Sequence, residues 1–233
     1  MPQIIQKFQY ISLNKQDGGS KGRVYVDKNG YKIPSVTTIL DATSDKSHLE
    51  LWRKRVGVEN ANQITKDAAA LGTALHTHLE CYILGLPRPT GTNLGRILAK
   101  NMSDTIIEKG LVNVSEVWGS EIHLHFDTVY AGTTDLIGVH NGYSAIMDFK
   151  NTIKPKKVEW IENYFMQLAG YIMAHDSMFK TQIERGVIFM CARDCTYQEF
   201  IIEGPKLDHY KSLWSQRVEQ YYEKLVFDQL SEE

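Results

Sequence analysis

The spacing of apolar positions changes period several times along the chain. Arg23-Val24-Tyr25-Val26 and Tyr31-Lys32-Ile33 alternate on either side of Asp27-Lys28-Asn29-Gly30, which predicts a small hairpin. The stretch before it, with Asp17-Gly18-Gly19-Ser20, reads as a loose arm or edge element. Ser35 precedes Val36-Thr37-Thr38-Ile39-Leu40 and is a candidate helix N-cap. Leu49, Trp52 and Val56 then recur at helical spacing over 48–56, with Trp52 expected in the core rather than as a base-stacking platform. A long helix is predicted over 61–84, stopped by Gly85 and Pro87, and another over 93–109. From about Val114 to Thr152 the pattern is strands and tight turns. Residues 160–179 are helical again, 185–190 read as a buried strand, 198–202 as another, and 205–230 as a closing helix. The order implies one α/β domain over 1–233: a mostly helical part with a small hairpin over 1–110, then an α/β core over 111–233.

Within the strand region, Asn141-Gly142 lies between two β-prone runs and predicts a two-residue hairpin loop. His140 then faces Tyr143, and carrying that register along the strands sets Asp135 opposite Asp148, with Lys150 two residues on and on the same face. Carboxylates so placed stand roughly 5 Å apart, a destabilising arrangement for like charges. A divalent cation between them resolves the conflict, and Mg²⁺ or Mn²⁺ suits such hard oxygen ligands, with the Phe149 carbonyl as a further ligand. Lys150 supplies a point charge able to orient a water or stabilise phosphate oxygens. Leu136, Ala145, Met147 and Phe149 form the other face, which reads as core.

Two helices carry further candidates. Gly72, His76 and Glu80 follow one another at i, i+4, i+8, a drift of about 40° per step, so they share one stripe of the long helix. Small residues there permit close approach to a sheet, and His76 and Glu80 are positioned to complete a metal site. On the helix after the hairpin, Gln167 and Tyr171 are at i, i+4, with Asn163 and His175 on the same stripe. An amide and a phenol can contact phosphate, sugar or base. Lys154, Lys156 and Lys157 directly follow the acid pair, where the flanking phosphates of a polyanion would lie, and Arg53-Lys54-Arg55 makes a second basic cluster.

Composition narrows the picture. With 233 residues, 42% of them hydrophobic and 23% charged, a core of ordinary size is attainable. The net charge of −2 means that nucleic-acid binding must come from local patches. The 3 cysteines, Cys81, Cys191 and Cys195, argue against a disulfide framework and exclude a four-cysteine iron–sulfur cluster. No membrane span, signal peptide or transit-peptide start is evident, so the expected setting is the cytoplasm of a bacterial or phage-infected cell.

Taken together and in this order, Gly72-x-x-x-His76-x-x-x-Glu80, Gly132-x-x-Asp135, Asp148-x-Lys150 and Gln167-x-x-x-Tyr171 resemble the RecB-type branch of the PD-(D/E)xK nucleases. Pro34-Ser35-Val36-Thr37-Thr38-Ile39-Leu40, Trp52-Arg53-Lys54-Arg55 and Lys154-Pro155-Lys156 are similar to the mitochondrial genome maintenance exonucleases and their phage-encoded relatives. The resemblance implies a restriction-endonuclease-like core, a mixed sheet with antiparallel hairpins flanked by helices. It implies a metal-dependent exonuclease on single-stranded DNA ends, using one or two Mg²⁺ or Mn²⁺ ions. By position, His76, Asp135 and Asp148 match metal ligands, Lys150 the catalytic lysine, Glu80 the first-motif acid, and Gln167 and Tyr171 the fourth motif. Asn151 departs from the Thr or Ser common after that lysine.

Three other readings compete. One is a structure-selective or sequence-specific endonuclease on the same core. Another is a Zn or Fe enzyme built on His76-x-His78 and His123-x-His125-x-Asp127. The third is a non-catalytic DNA-binding module. The face of Glu121 depends on the loop length near Asp127-Thr128, since one residue inverts a strand's faces.

Overall fold

The computed structural model describes residues 2–19 and 22–231. Its centre is a mixed six-stranded sheet in the order β1-β5-β6-β7-β8-β9: Gln3–Ile4 (β1), Val114–Phe126 (β5), Tyr130–His140 (β6), Tyr143–Thr152 (β7), Arg185–Ala192 (β8) and Tyr197–Glu203 (β9). The strands β5, β6 and β7 run antiparallel to one another, β7 and β8 are parallel, and β8 and β9 antiparallel. A second sheet of three antiparallel strands comprises Asn14–Asp17 (β2), Arg23–Val26 (β3) and Lys32–Pro34 (β4). The hairpin expected at 23–33 is therefore present, with β2 added to its edge. Of the Asp17–Ser20 stretch, Ser20 lies outside the described residues.

Among the described residues six α-helices surround the sheets: Val36–Thr43 (α1), Ser47–Val56 (α2), Val58–Ile83 (α3), Leu94–Lys109 (α4), Glu162–Phe179 (α5) and Gly204–Ser231 (α6). Ser35 caps α1 as expected, its Oγ accepting from Thr38 N at 3.0 Å, and Asn93 caps α4 in the same way. The parallel β7–β8 pair requires a crossover, and α5 provides it.

Apolar layers cover both faces of the large sheet. On one face Ile137, Ile146 and Ile188 pack with Phe165, Leu168 and Ile172 of α5 and Trp214 of α6. On the other, Leu136, Ala145, Met147 and Phe149 pack with Leu71, Leu75 and Leu79 of α3 and Met102 and Ile106 of α4. Burial on both sides explains why β8, with every residue buried, reads as an unbroken apolar run after Arg185. This mixed sheet with flanking helices is the fold that the nuclease resemblance implies.

The helix over 47–56 forms but buries no residue; Leu51 is 67% exposed and Trp52 only half-buried, so the expected core position of Trp52 is met in part. Among the described residues no helix is long and apolar enough to cross a membrane.

Candidate active site

The Asn141-Gly142 turn has the two positive φ angles, 48° and 83°, of a two-residue hairpin loop, and His140 pairs with Tyr143. The ladder holds that register from His140↔Tyr143 to Leu136↔Met147 and stops there. Beyond that point β6 continues along β5 and β7 along β8, so the two strands part like the tines of a fork. The backbone N–H and carbonyl of Phe149, in the gap, are satisfied by side chains. Phe149 N donates to Asp135 Oδ2 at 2.7 Å, and His76 Nε2 donates to the Phe149 carbonyl at 3.0 Å. Asp135 and Asp148 both lie in this gap and are buried.

His76 enters from α3. Its Nδ1 is 3.4 Å from Asp135 Oδ1 and 3.9 Å from Glu121 Oε1. One ligand atom from each of His76, Glu121 and Asp135 lies within 4.8 Å of the others. Lys150 Nζ stands 2.5 Å from Asp148 Oδ2 and 4.9 Å from the centre of the Tyr164 ring. Gln167 Nε2 reaches Asp148 Oδ1 at 3.4 Å and Tyr171 OH at 3.1 Å. Glycines make these approaches possible. A Cβ on Gly132 would come within 2.4 Å of the Tyr171 ring, and one on Gly72 within 3.2 Å of Asn151 Oδ1. Asn151, the departure from the motif, therefore packs against α3.

The electrostatics follow from burial set against charge. Burial and then the neighbouring Asp135 push Asp148 up to about 6, against the pull of Lys150. Burial also works to raise Asp135, but His76, Lys150 and the Phe149 N–H outweigh it and hold that carboxyl low. Burial opposes the charge on His76, yet Asp135 and Glu121 carry it to about 10. Lys150, like His76, is raised against the cost of burial by Asp148 and Asp135, which favours its ammonium form. Imidazolium and ammonium thus flank the carboxylates where the opposed acids call for positive charge.

The site joins His76, Asp135, Asp148, the Phe149 carbonyl, Lys150, Gln167 and Tyr171. It does not join Glu80, which is half-buried on α3 and whose side chain makes no hydrogen bond or ion pair among the described residues. Lys154, Lys156 and Lys157 are exposed on the loop leaving β7. Arg53 lies on α2, bonded to Asn62 Oδ1 at 2.7 Å. Glu121 is the group whose face the sequence left open. The β5–β6 loop carries Phe126 opposite Tyr130, a register that turns Glu121 toward Asp135. Lys15 and Tyr164 gave no signal in the sequence. Lys15 lies on β2 and is electrostatically coupled to Glu121 and Asp135. Tyr25, its cross-strand partner, hydrogen-bonds Thr133 at 2.7 Å and ties the small sheet to β6. The histidines of the rival metal reading are engaged elsewhere. His123 Nδ1 accepts from Leu13 N, His125 Nδ1 contacts the Asp127 carbonyl, and His78 is buried on α3.

The chain is similar to known exonucleases. The chain is 27% identical over 206 residues to mitochondrial genome maintenance exonuclease 1 of Homo sapiens, covering 82% of this chain and 59% of that protein. It is likewise 27% identical to the Mus musculus protein of the same name, covering 82% of this chain and 60% of that one. The chain therefore spans about three-fifths of the length of the curated relatives it matches. A solved structure described as a candidate exonuclease from Eubacterium rectale superposes with a TM-score of 0.50 at 11% identity, covering 69% of this chain and 66% of that one, and shows the same fold. No family model matches the chain. These likenesses bear out the nuclease relationship read from the four motifs.

Proposed function

We propose that the protein is a Mg²⁺- or Mn²⁺-dependent deoxyribonuclease that hydrolyses phosphodiester bonds from the free ends of single-stranded DNA. The observation that carries this reading is the fork between β6 and β7, which gathers Asp135, Asp148, Lys150, His76 and Glu121 around one gap.

The residues present suit a hard divalent cation. Asp148 is buried, with its Oδ2 2.5 Å from the Lys150 ammonium. Asp135, Glu121 and His76 Nδ1 bring one ligand atom each within 4.8 Å of the others, and once a cation displaces the Nδ1 proton they make a donor set rich in hard oxygens. His76 Nε2, bonded to the Phe149 carbonyl, fixes the ring so that Nδ1 faces the acids. A cation held there supplies Lewis-acid polarisation of the phosphate and a more acidic water. The protein's own groups do the rest. Lys150 places a fixed positive charge beside the scissile phosphate, where negative charge grows in the transition state. Gln167, braced by Tyr171, holds Asp148 in position. Lys154, Lys156 and Lys157 bear on the flanking phosphates, and the relatives' printed name, exonuclease, favours end-directed cleavage.

The test is digestion of labelled linear and circular DNA, single- and double-stranded, with Mg²⁺ or Mn²⁺ added. Linear single strands should be degraded, circles should survive, and Asp148→Ala or Lys150→Ala should lower the rate by about 10²–10³-fold. Full activity in either variant would sink the assignment. Cleavage of circles would move it to an endonuclease on the same core.

A further inference from the structure

We propose that Trp160 is a base-stacking platform, held beside the active site with Lys156 and Lys157, and that it receives a nucleotide of the single-stranded DNA next to the scissile phosphate. The inference rests on the nuclease reading above and names how that site grips its substrate.

Trp160 is 63% exposed, at the end of a short 3-10 turn between β7 and α5. The Lys157 and Lys156 ammonium groups lie 5.6 and 6.0 Å from its ring centre, near the outer limit of a cation–π contact. That separation is comparable with the distance from a base to its own phosphate. The lysines can therefore pair with a strand's phosphates while the ring meets a base. This combination of cationic track and aromatic face serves single-stranded nucleic acid, because every base has a π-face. An apolar protein partner would gain nothing from the lysines.

The loop is built to hold its shape. Lys156 N donates to Gln198 Oε1 at 2.7 Å, and Gln198 Nε2 donates back to the Lys156 carbonyl at 2.9 Å, which pins the loop to β9. Thr152 Oγ1 donates to the Lys154 carbonyl at 2.9 Å. Trp160 N donates to the Lys157 carbonyl at 3.1 Å. The platform is also tied to the chemistry. β7 delivers Lys150 at one end of the connection, and Tyr164, soon after Trp160 at the start of α5, lies against the Lys150 ammonium. A large exposed ring on a pinned loop costs little entropy on binding.

The experiment uses the full chain and a labelled oligothymidylate. Anisotropy in EDTA gives Kd, and initial rates with Mg²⁺ or Mn²⁺ give KM and kcat. Trp160→Ala should raise Kd and KM by roughly 5- to 150-fold, the range of one base–aromatic stack, with the effect on binding rather than on the chemical step. Trp160→Phe should recover most of the loss. An oligonucleotide of abasic residues should bind the parent and Trp160→Ala alike, a result that mere loosening of the loop would not produce. If the parent binds and degrades the oligonucleotide and Trp160→Ala does so equally well, the platform is wrong and the nuclease reading stands. If the parent neither binds nor degrades it, both fall.

Discussion

Glu121 occupies a backbone conformation that its side chain does not favour. It has φ of +54° in the middle of β5, between the pairs Ser120↔Leu136 and Ile122↔Thr134. A left-handed conformation costs a non-glycine residue about 1–2 kcal/mol, and here it coincides with a carboxylate aimed at His76 and Asp135. Glu121→Ala and Glu121→Gly both delete the carboxylate and differ only in backbone freedom. Glu121→Gly should therefore be the more stable by about 1 kcal/mol, or roughly 2–4 °C in Tm. Both variants should lose divalent-cation affinity by the same factor. Thermal melts and cation titrations check this, and a glycine variant melting below the alanine one would refute the strain. The contrast with Asp135 and Asp148 explains what the sequence revealed at this scale. Asn141-Gly142, whose residues fit the positive φ that a two-residue loop needs, sets the register that brings both to the fork, although the ladder ends one pair before them at Leu136↔Met147. Glu121 is aimed by a loop in which Asp127 takes a φ of +46° with no glycine to announce it. Lys15 escaped detection for another reason, because only the docking of the small sheet brings it near the acids.

Among the elements, those with a strong period of their own were legible. The helices α3, α4 and α5 and the β6–β7 hairpin stand where the apolar spacing and caps place them. The strands β1 and β2 do not announce themselves: Gln3–Ile4 is short and Asn14–Asp17 is wholly polar and exposed, so pairing alone makes them strands. The docking of the N-terminal arm onto α5 has a pH signature. His175 of α5 is enclosed by Phe8, Tyr10 and Phe179, with Nδ1 2.8 Å from Thr181 Oγ1 and Nε2 3.2 Å from Tyr10 OH. Burial, helped by nearby Lys7, pushes its pKa down to about 4. The unfolded chain takes up this proton near the ordinary value of about 6.5, whereas the folded one resists until about 4. Stability present above about pH 6.5 is therefore lost as the pH falls toward 4. Asp176, raised by burial, works the opposite way and blunts the slope. In urea melts His175→Gln should lower stability at neutral pH and flatten the decline between pH 6.5 and 4. An unchanged slope would show that the arm does not depend on a neutral His175.

For the molecule as a whole, a net charge of −2 has to be reconciled with a polyanionic substrate. The charge is unevenly placed. The acids of the β6–β7 fork sit beside the loop carrying Lys154, Lys156 and Lys157, while Arg53, Lys54 and Arg55 close α2. Binding should therefore draw on a few local phosphate contacts rather than on a long-range field, which for this net charge is weakly repulsive. Each phosphate neutralised on a single strand contributes about −0.7 to the slope of log K against log salt. If Lys154, Lys156, Lys157 and Arg53 each meet one phosphate, the slope should be about −3. Replacing Lys156 and Lys157 together with alanine should bring it to about −1.4, weakening binding by a similar factor for every sequence tested. Trp160→Ala should weaken binding without changing the slope, because stacking releases no counterion. Titrations of an oligothymidylate across a range of KCl separate the two effects. A slope near zero for the parent would mean that these basic residues do not contact the strand. An unchanged slope in the double alanine variant would move the phosphate track elsewhere, to the Lys15 side of the fork.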